Sequence, residues 1–311
     1  MASIRHVLLD RFLRILTARR IDPYMEPRIL RARLEKLVTR FGGSGRIRGC
    51  RIEPVDIAGM AAEWIVPDTE RQGDVLLYLH GGGYAICSPR THRGLVADIA
   101  VKAGTKALVI DYRLAPEHPF PAAVEDACRA YRWLLAQGID PAHITVAGDS
   151  AGGGLALALL LSLRDAGDPL PAGAALLSPW TDLAMSGWTH VTHARRDPML
   201  SVEGALLAAR HYLQNASPTD PLASPLYGRL KGLPPLLVHV GGNEILLDDS
   251  LRLAERARAA GVSVEIKIWP DLPHVFQAFA FLPEARASRI EIARFLADCM
   301  SVAGPELRAA E

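Results

Sequence analysis

The sequence predicts an α/β fold in which a mostly parallel sheet is covered by helices on both faces. Short apolar segments alternate along the chain with longer segments that have helical spacing. Short strands that are apolar on both sides are typical of parallel sheets buried between helices. Several of these strands run directly into glycine-rich or polar segments, and in such sheets ligands bind at the carboxyl ends of the strands.

Composition narrows the classes of protein that the chain can belong to. The chain has 311 residues, half of them hydrophobic, which is enough for one large domain or two small ones. The formal net charge of +1 gives no reason to expect a nucleic-acid partner. The four cysteines lie far apart without C-x-x-C spacing, so we expect neither a disulfide framework nor a zinc site. This cysteine pattern fits a protein of a reducing compartment.

The N-terminal part predicts two helices within residues 1–41. Apolar residues recur there at helical spacing, with a break at Asp22-Pro23 and an end at Gly42-Gly43. The two stripes are Ile4, Val7, Leu8, Phe12, Ile15 and Leu16, then Ile29, Leu30, Leu34, Leu37, Val38 and Phe41. Charged residues interrupt any signal-peptide core, and the longest apolar run, near 154–163, is too short to span a bilayer. We therefore favour a cytoplasmic protein over one with a membrane-surface helix, and expect no integral membrane segment.

The remaining chain predicts a strand pair over 50–66 that turns at Gly59, and then a series of buried strands. The predicted strands are 75–79, 107–110, 144–147, 174–177, 236–240 and 262–268, and the predicted helices include 122–137, 248–260 and 284–300. Between Trp180 and Leu226 the sequence has no strand signal, only a helix around 201–214. We predict that 181–225 is an insertion that forms a cap with the segment 1–45. The main domain then comprises 46–180 and 226–311.

The segment around Ser150 predicts a strand, a sharp turn and a helix. Its turn reads Gly148-Asp-Ser-Ala-Gly152, a G-x-S-x-G pattern. In this context the pattern is that of a nucleophile elbow, which exposes a serine hydroxyl at the edge of the sheet. The helix that begins there directs N–H groups and the positive end of its dipole at an anion beside the serine. The pattern alone is weak, because a serine can occur incidentally in a glycine-rich turn.

A nucleophilic serine needs a base and an orienting acid, which follow it in the order acid then histidine in folds with this elbow. Five histidines follow Ser150: His190, His193, His211, His239 and His274. The first three lie in the insertion, and His239 lies inside a buried strand, where we expect a hydrogen-bonded core histidine. His274 follows the last strand on a loop and is predicted as the base.

For the acid we choose Glu244, which comes directly after a strand. The alternatives, Asp248 and Asp249, are expected to cap a helix that begins near Ser250. The segment His80-Gly-Gly-Gly83 ends another strand, and glycines let the backbone approach a substrate closely. We predict an oxyanion hole formed by the N–H groups of Gly81, Gly82 and Ala151.

Together these motifs resemble those of the hormone-sensitive-lipase-like family of α/β-hydrolases, in its bacterial family IV esterase branch. The matching segments, spread over the chain from about residue 75 onward, are 80–84, 111–122, 148–153, 244–248 and 274–276. The resemblance implies the α/β-hydrolase fold with a helical cap and a triad of Ser150, Glu244 and His274. Many members of that family have Asp where Glu244 stands, and the longer side chain requires its backbone to lie slightly further from His274.

The resemblance further implies a serine carboxylesterase that acts on small-molecule esters of short to medium acyl chains and needs no metal or organic cofactor. The residues expected to line the substrate pocket are Tyr84, Trp180, Met199, Leu200, Tyr212, Ile245, Val275 and Phe276. In the segment 111–122 we expect ion pairs of Arg113, Glu117 and Asp126 to brace the loop, and Asp149 to anchor the elbow.

Other functions remain open at this point. The family resembled includes plant hormone receptors that bind without hydrolysis, but these have lost the histidine that this chain retains as His274. An amidase or an acyltransferase would use the same triad. The natural ester is not determined by the sequence, and neither is a homodimer formed through the last strand and helix.

Overall fold

A computed structural model describes residues 3–20, 25–41, 49–70 and 73–302. In this structure the chain forms one eight-stranded sheet flanked by helices. The strands are β1 (Cys50–Ile57), β2 (Met60–Pro67), β3 (Val75–Leu79), β4 (Lys106–Ile110), β5 (Ile144–Asp149), β6 (Gly173–Leu177), β7 (Leu236–Gly241) and β8 (Val264–Trp269). The helices are α1 (Ile4–Arg20), α2 (Pro27–Phe41), α3 (Pro89–Ala103), α4 (Ala122–Ala136), α5 (Ala151–Ala166), α6 (Thr189–Thr192), α7 (Val202–Leu213), α8 (Leu247–Ala259) and α9 (Pro283–Val302).

The order of strands across the sheet is β1-β2-β4-β3-β5-β6-β7-β8. Strands β3 to β8 pair in parallel, while β1 and β2 form an antiparallel pair and β2 is also antiparallel to β4. The predicted mostly parallel sheet is therefore confirmed. Strands β3, β5, β6 and β7 are buried along their whole length, because helices cover both of their faces.

Two apolar layers hold the helices to the sheet. Helices α4, α5 and α8 pack on one face, and α3 and α9 pack on the other. Leucines such as Leu155 in α5 and Leu296 in α9 are completely buried in these layers. Each such leucine contributes about 1.5–3 kcal/mol by leaving water. The layers fix the parallel strands firmly, so their carboxyl ends form a rigid edge on which the loops described below are built.

The N-terminal helices lie where the sequence predicts them, while Asp22-Pro23 and Gly42-Gly43, their predicted boundaries, lie outside the described residues. Helix α1 buries Leu9 and Leu13 in a separate apolar cluster whose other buried members are Leu272, Phe276, Leu282 and Ala285. Helix α2 is held by Arg31, which donates to the Glu117 carboxylate and to the carbonyls of Ala85 and Ala115.

This placement of Glu117 differs from the expectation that it braces its own loop. Arg113 does pair with Asp126, as predicted, through its Nε and its backbone N–H. Glu117 instead pairs with Arg28 and Arg31 of α2. Glu117 therefore ties helix α2 to the loop after β4.

The segment 181–225 contains α6 and α7 and no strand, as predicted for an insertion. It contacts α1, because Arg14 donates to the carbonyls of Arg195 and Arg196. It also contacts the loop before α4, where the Phe120 N–H donates to the carbonyl of Tyr212. Along the described parts of the chain, no helix combines the length and the apolar character required to cross a bilayer.

Candidate active site

Ser150 lies at the turn between β5 and α5 in a strained backbone conformation. Its φ and ψ angles are 56° and −124°, a region that residues with a side chain rarely adopt. The tight turn is possible because its neighbours are glycines. A Cβ atom at Gly148 would lie 2.2 Å from the carbonyl oxygen of Gly152, and one at Gly152 would lie 2.1 Å from that of Leu79. The G-x-S-x-G segment thus has the geometry predicted for an elbow.

Glu244 and His274 form a buried hydrogen-bonded pair. The Nδ1 atom of His274 lies 2.5 Å from Oε2 of Glu244, and both side chains are almost completely inaccessible to water. Burial by itself lowers the pKa of His274, but the Glu244 carboxylate, assisted by Asp197 and Asp149, outweighs that effect and the pKa is raised. The acid therefore holds the imidazole in one orientation and stabilises its protonated form.

The other oxygen of Glu244 is also occupied. Oε1 accepts hydrogen bonds from the N–H of Gly241 at 2.6 Å and from the hydroxyl of Ser178 at 2.7 Å. A carboxylate held by three donors has little freedom to rotate. The Glu244–His274 pair is thus held in place by hydrogen bonds from the ends of β7 and β6.

Ser178 is a residue that the sequence analysis did not identify. Its side chain is fully buried and its φ is 47°, so a second strained residue follows directly after β6. Its hydroxyl donates to Glu244 and accepts from the N–H of Val275, next to His274. Its neighbour Leu177 accepts from the N–H of Ser150. Ser178 thus links the three elements that carry the predicted triad, and a serine at the end of the strand beside the elbow strand was its only signal.

Among the described residues, no hydrogen bond joins the Ser150 hydroxyl to His274. Serine–histidine contacts are often long in structures without substrate and tighten when the complex forms. The backbone links through Leu177 and Ser178 bring the two residues to the same edge of the sheet.

In the glycine-rich segment after β3, the structure differs from the prediction for one glycine. The N–H of Gly81, predicted as an oxyanion donor, instead donates to Oδ1 of Asp149 at 3.1 Å. The N–H groups of Gly82, Gly83 and Ala151 have no acceptor within the described part of the chain. The sequence shows that glycines are present but not which of their amides are already bonded within the fold, and the bond to Asp149 occupies the Gly81 N–H that was predicted to bind an oxyanion.

Asp149 anchors this segment to the elbow. Besides Gly81, it accepts from the Tyr78 hydroxyl at 2.8 Å and lies 3.3 Å from Nε2 of His92. Burial by itself raises the pKa of Asp149, but His92 and the hydrogen bonds outweigh it and the pKa is lowered. Burial, reinforced by the nearby His92, lowers the pKa of His80 to about 3. The loop beside Ser150 is therefore fixed by an ionised carboxylate and carries a neutral histidine.

Three of the predicted pocket residues form an aromatic cluster beside the elbow. The rings of Tyr84 and Tyr212 stack with centroids 3.8 Å apart, and the Trp180 ring lies 6.3 Å from that of Tyr84. The N–H of Trp180 donates to the carbonyl of Ser150. The hydroxyls of both tyrosines and Nε1 of Trp180 are buried without a hydrogen-bond partner in the described structure.

The other predicted pocket residues separate into two groups. Met199 and Leu200 in the insertion are half-buried, and Val275 lies beside His274 with a φ of 45°. Ile245 and Phe276 have no exposed surface, and Phe276 packs in the cluster that holds α1. Both side chains take part in packing in this structure, as the equally buried Tyr84 and Tyr212 do, and their place in a substrate pocket stays a prediction.

Asp197 is a second buried carboxylate near His274 that the sequence analysis did not single out. Its Oδ1 accepts from the N–H groups of Met199 and Leu200, and its Oδ2 accepts from the N–H of Ile245. Burial raises the pKa of Asp197, while the nearby His274 acts in the opposite direction. Asp197 therefore ties the insertion to the loop that carries the acid.

The alternative acids, Asp248 and Asp249, do not contact His274. Helix α8 begins at Leu247, so both lie in its first turn, and the expectation that they cap a helix beginning near Ser250 is wrong. The Asp248 carboxylate accepts from the N–H groups of Trp188 and Thr189, and that of Asp249 from those of Thr181 and Asp182. Both carboxylates hold the insertion.

His239 has the role expected of a core histidine. Its Nδ1 lies 2.7 Å from the hydroxyl of Ser288 on α9, and burial lowers its pKa to about 3. Among the described residues, no group of three or more His, Cys, Asp or Glu side chains is arranged to hold a metal ion.

Comparison with known proteins gives consistent matches. A family profile described as "alpha/beta hydrolase fold" matches residues 76–278. An acetyl-hydrolase from Streptomyces hygroscopicus is 46% identical over 270 residues, which cover 86% of this chain and 88% of that protein. An esterase from Acinetobacter venetianus is 38% identical over 273 residues, 87% of this chain and 89% of that protein. The crystal structure of an esterase from the bacterial hormone-sensitive lipase family superposes with a TM-score of 0.90 at 46% identity, covering 96% of this chain and 100% of that one.

Proposed function

This chain belongs to the α/β-hydrolase family, in its hormone-sensitive-lipase-like branch, and is a carboxylic ester hydrolase; from that premise we propose that it cleaves short-to-medium-chain acyl esters through an acyl-enzyme on Ser150. The observation that carries this proposal is the buried 2.5 Å bond between His274 and Glu244 at the same sheet edge as the strained Ser150. A serine, a histidine and a carboxylate in this arrangement suit nucleophilic attack on an ester carbonyl.

In the proposed reaction, His274 removes the proton from the Ser150 hydroxyl as the oxygen attacks the carbonyl carbon. Glu244 keeps Nδ1 of His274 protonated, so that Nε2 is free to accept that proton. The tetrahedral intermediate collapses when His274 protonates the leaving alcohol. Water, deprotonated by the same histidine, then releases the acid and restores the free serine.

The developing oxyanion is stabilised, in this proposal, by the N–H groups of Gly82, Gly83 and Ala151. Support comes from the lack of an acceptor for these amides in the described structure and from the beginning of α5 at Ala151. The positive end of the α5 dipole adds to the same field. Loss of one such donor typically lowers kcat by about 10²–10³.

We further propose that α1, α2 and the insertion 181–225 form a cap over the main domain, 46–180 and 226–311. Support comes from the bonds of Arg14 to the insertion and of Asp197 to the loop of Glu244. Tyr84, Trp180 and Tyr212, with Met199, Leu200 and Val275, are the residues we propose to contact the substrate.

A short acyl chain is favoured by the tight packing beside the elbow. The Tyr84 and Tyr212 rings stack closely and have almost no exposed surface, which limits the length of chain that fits there. One relative is named an acetyl-hydrolase, which is consistent with a small acyl group. Hydrolysis of p-nitrophenyl esters of increasing acyl length is expected to give the highest kcat/KM at short chains, and a maximum at long chains would contradict the proposed specificity.

The substitution Ser150→Ala tests the proposed nucleophile. We expect kcat to fall by on the order of 10⁴–10⁶, because no acyl-enzyme can form. The control Ser301→Ala, at the exposed end of α9, should retain activity, and circular dichroism should show both variants folded. Ester hydrolysis by folded Ser150→Ala at the wild-type rate would exclude Ser150 as the nucleophile.

A further inference from the structure

Helix α1 has a second apolar face that the fold does not use. Its inner face, with Leu9 and Leu13, is buried against the main domain. Leu8, Phe12 and Ile15 are 62%, 59% and 55% exposed. Spacings of four and three residues place these side chains on one stripe of the helix surface. We call Leu8, Phe12 and Ile15 the outer stripe.

Another exposed aromatic residue lies next to the first turn of the same helix. Phe281 is 52% exposed, and its carbonyl accepts a hydrogen bond from Arg5 at the start of α1. Single exposed apolar residues are common on protein surfaces, but adjacent large ones mark binding sites for proteins or membranes. The stripe therefore requires a partner with an apolar component.

The charges around the outer stripe are mainly positive. Arg5 and Arg11 are exposed on α1 itself. On one side of α1 lies a cavity of about 680 Å³, lined in part by Arg11, Arg14, Arg195 and Arg196. Two aspartates also line it, Asp10, which is paired with Arg14, and Asp271. The arginines outnumber the aspartates, so this face attracts anions.

We propose that this face of the protein binds the surface of an anionic phospholipid bilayer. The outer stripe inserts at the boundary between headgroups and acyl chains, and the arginines contact lipid phosphates. An exposed apolar stripe beside arginines is the pattern of helices that lie in the plane of a membrane interface. Such binding does not depend on the chemistry proposed at Ser150.

Charge decides between a bilayer and a second copy of the chain as the partner. In a symmetric dimer formed through this face, the arginine-rich surface of one copy would face the same arginine-rich surface of the other. Like charges at close range oppose association, whereas the phosphates of an anionic bilayer neutralise them.

The position of α1 adds a consequence, because Leu9 and Leu13 pack on Leu272 and Phe276, which flank His274. A docked protein would hold its candidate site close to esters dissolved in the membrane.

Co-flotation of the full-length protein with lipid vesicles tests the proposal. We expect binding to phosphatidylcholine vesicles that contain phosphatidylglycerol, much weaker binding to phosphatidylcholine alone, and loss of binding as salt is raised. The triple variant Leu8→Gln/Phe12→Gln/Ile15→Gln should bind at least about tenfold more weakly. The control Val101→Gln/Ile290→Gln removes apolar side chains that are 40% and 39% exposed on α3 and α9, and it should bind as the wild type does.

A second pair of variants leaves the outer stripe intact. Arg11→Gln and Arg195→Gln should each lower the partition coefficient about fivefold, whereas Arg258→Gln on the distant helix α8 should not. Hydrolysis of a water-soluble short-chain ester should be unchanged in every variant, which shows that each is folded. Equal binding by the triple variant, or equal binding to neutral and anionic vesicles, would overturn the proposal. The proposal would also be overturned if sedimentation velocity showed that the wild type is a dimer and the triple variant a monomer. The outer stripe would then bind a second copy of the chain.

Discussion

Each oxygen of the Glu244 carboxylate makes its own contacts in the candidate site. Oε2 accepts from His274, while Oε1 accepts from Gly241 and Ser178. A hydrogen bond from a neutral hydroxyl to a charged group contributes about 1.5–3 kcal/mol. The position of the acid therefore depends on Ser178, which would not itself touch the substrate.

The substitution Ser178→Ala is expected to lower kcat by about tenfold with little change in KM, because Glu244 loses one of its three donors and can rotate away from His274. The matched control is Ser288→Ala, which removes a fully buried hydroxyl from a different histidine, His239. Both variants should lose comparable thermal stability. Equal effects of the two on kcat would show that Ser178 has only a structural role.

The pH dependence of Glu244→Gln follows from the raised pKa of His274. Activity requires neutral His274, so kcat/KM rises with pH through the pKa of this residue in the free enzyme. The glutamine removes the negative charge that raises that pKa, while burial, which lowers it, remains. We expect the acidic limb of the profile of kcat/KM against pH to move to lower pH, and the plateau to fall by about 10²–10⁴.

Asp248→Asn is the control for this pH profile, because Asp248 is the alternative acid and bonds the insertion instead. Its acidic limb should coincide with that of the wild type. A limb that stays in place in Glu244→Gln, or moves in Asp248→Asn, would contradict the assignment of Glu244.

At the scale of elements, the sequence predicted those features of the fold and of the candidate site that depend on the local pattern of residues. The strands, the elbow and the loop position of His274 follow from apolar spacing and from glycines next to Ser150, and all lie where predicted. Ser178 and Asp197 could not be predicted, since their partners lie 66 and 48 residues away in sequence. The direction of the Gly81 amide depends on its contact with Asp149, which lies 68 residues away in the sequence and is also not a local property.

The contact between α8 and the insertion contains a buried carboxylate that responds to pH. Asp249 is fully buried next to Asp182, Arg252 and His190, and burial raises its pKa to about 8. An acid with a raised pKa in the folded state is neutral there but ionised when unfolded, so its effect on stability becomes more unfavourable as pH rises from about 4 to about 8. Below about pH 4 it has no such effect.

Asp249→Asn keeps an oxygen acceptor for the N–H groups of Thr181 and Asp182 but cannot ionise. We expect its free energy of unfolding, relative to wild type, to increase between pH 5 and pH 8 by on the order of a few kcal/mol. Urea titrations at the two pH values measure this difference. A constant difference between the two pH values for Asp249→Asn would indicate that Asp249 is already ionised at pH 5.

At the scale of the whole molecule, the N-terminal helix and the candidate site share one apolar cluster. Leu9 and Leu13 of α1 pack with Leu272 and Phe276, on either side of His274 in the sequence. The same helix is bonded to the insertion through Arg14. Helix α1, the segment 181–225 and the loop of the proposed base are therefore parts of one packed unit, and a cavity under α1 should affect both that segment and the loop.

The substitution Leu13→Ala tests this coupling. It should lower the free energy of unfolding by about 2–5 kcal/mol, as buried Leu→Ala changes do, and should also lower kcat/KM severalfold, because the loop that carries His274 loses its apolar support. The matched control is Leu253→Ala, a fully buried leucine on α8 in a different cluster. It should be destabilised to a similar extent and keep its kcat/KM when assayed well below its melting temperature. If both variants kept wild-type kcat/KM, the packing of α1 would stabilise the fold without positioning His274.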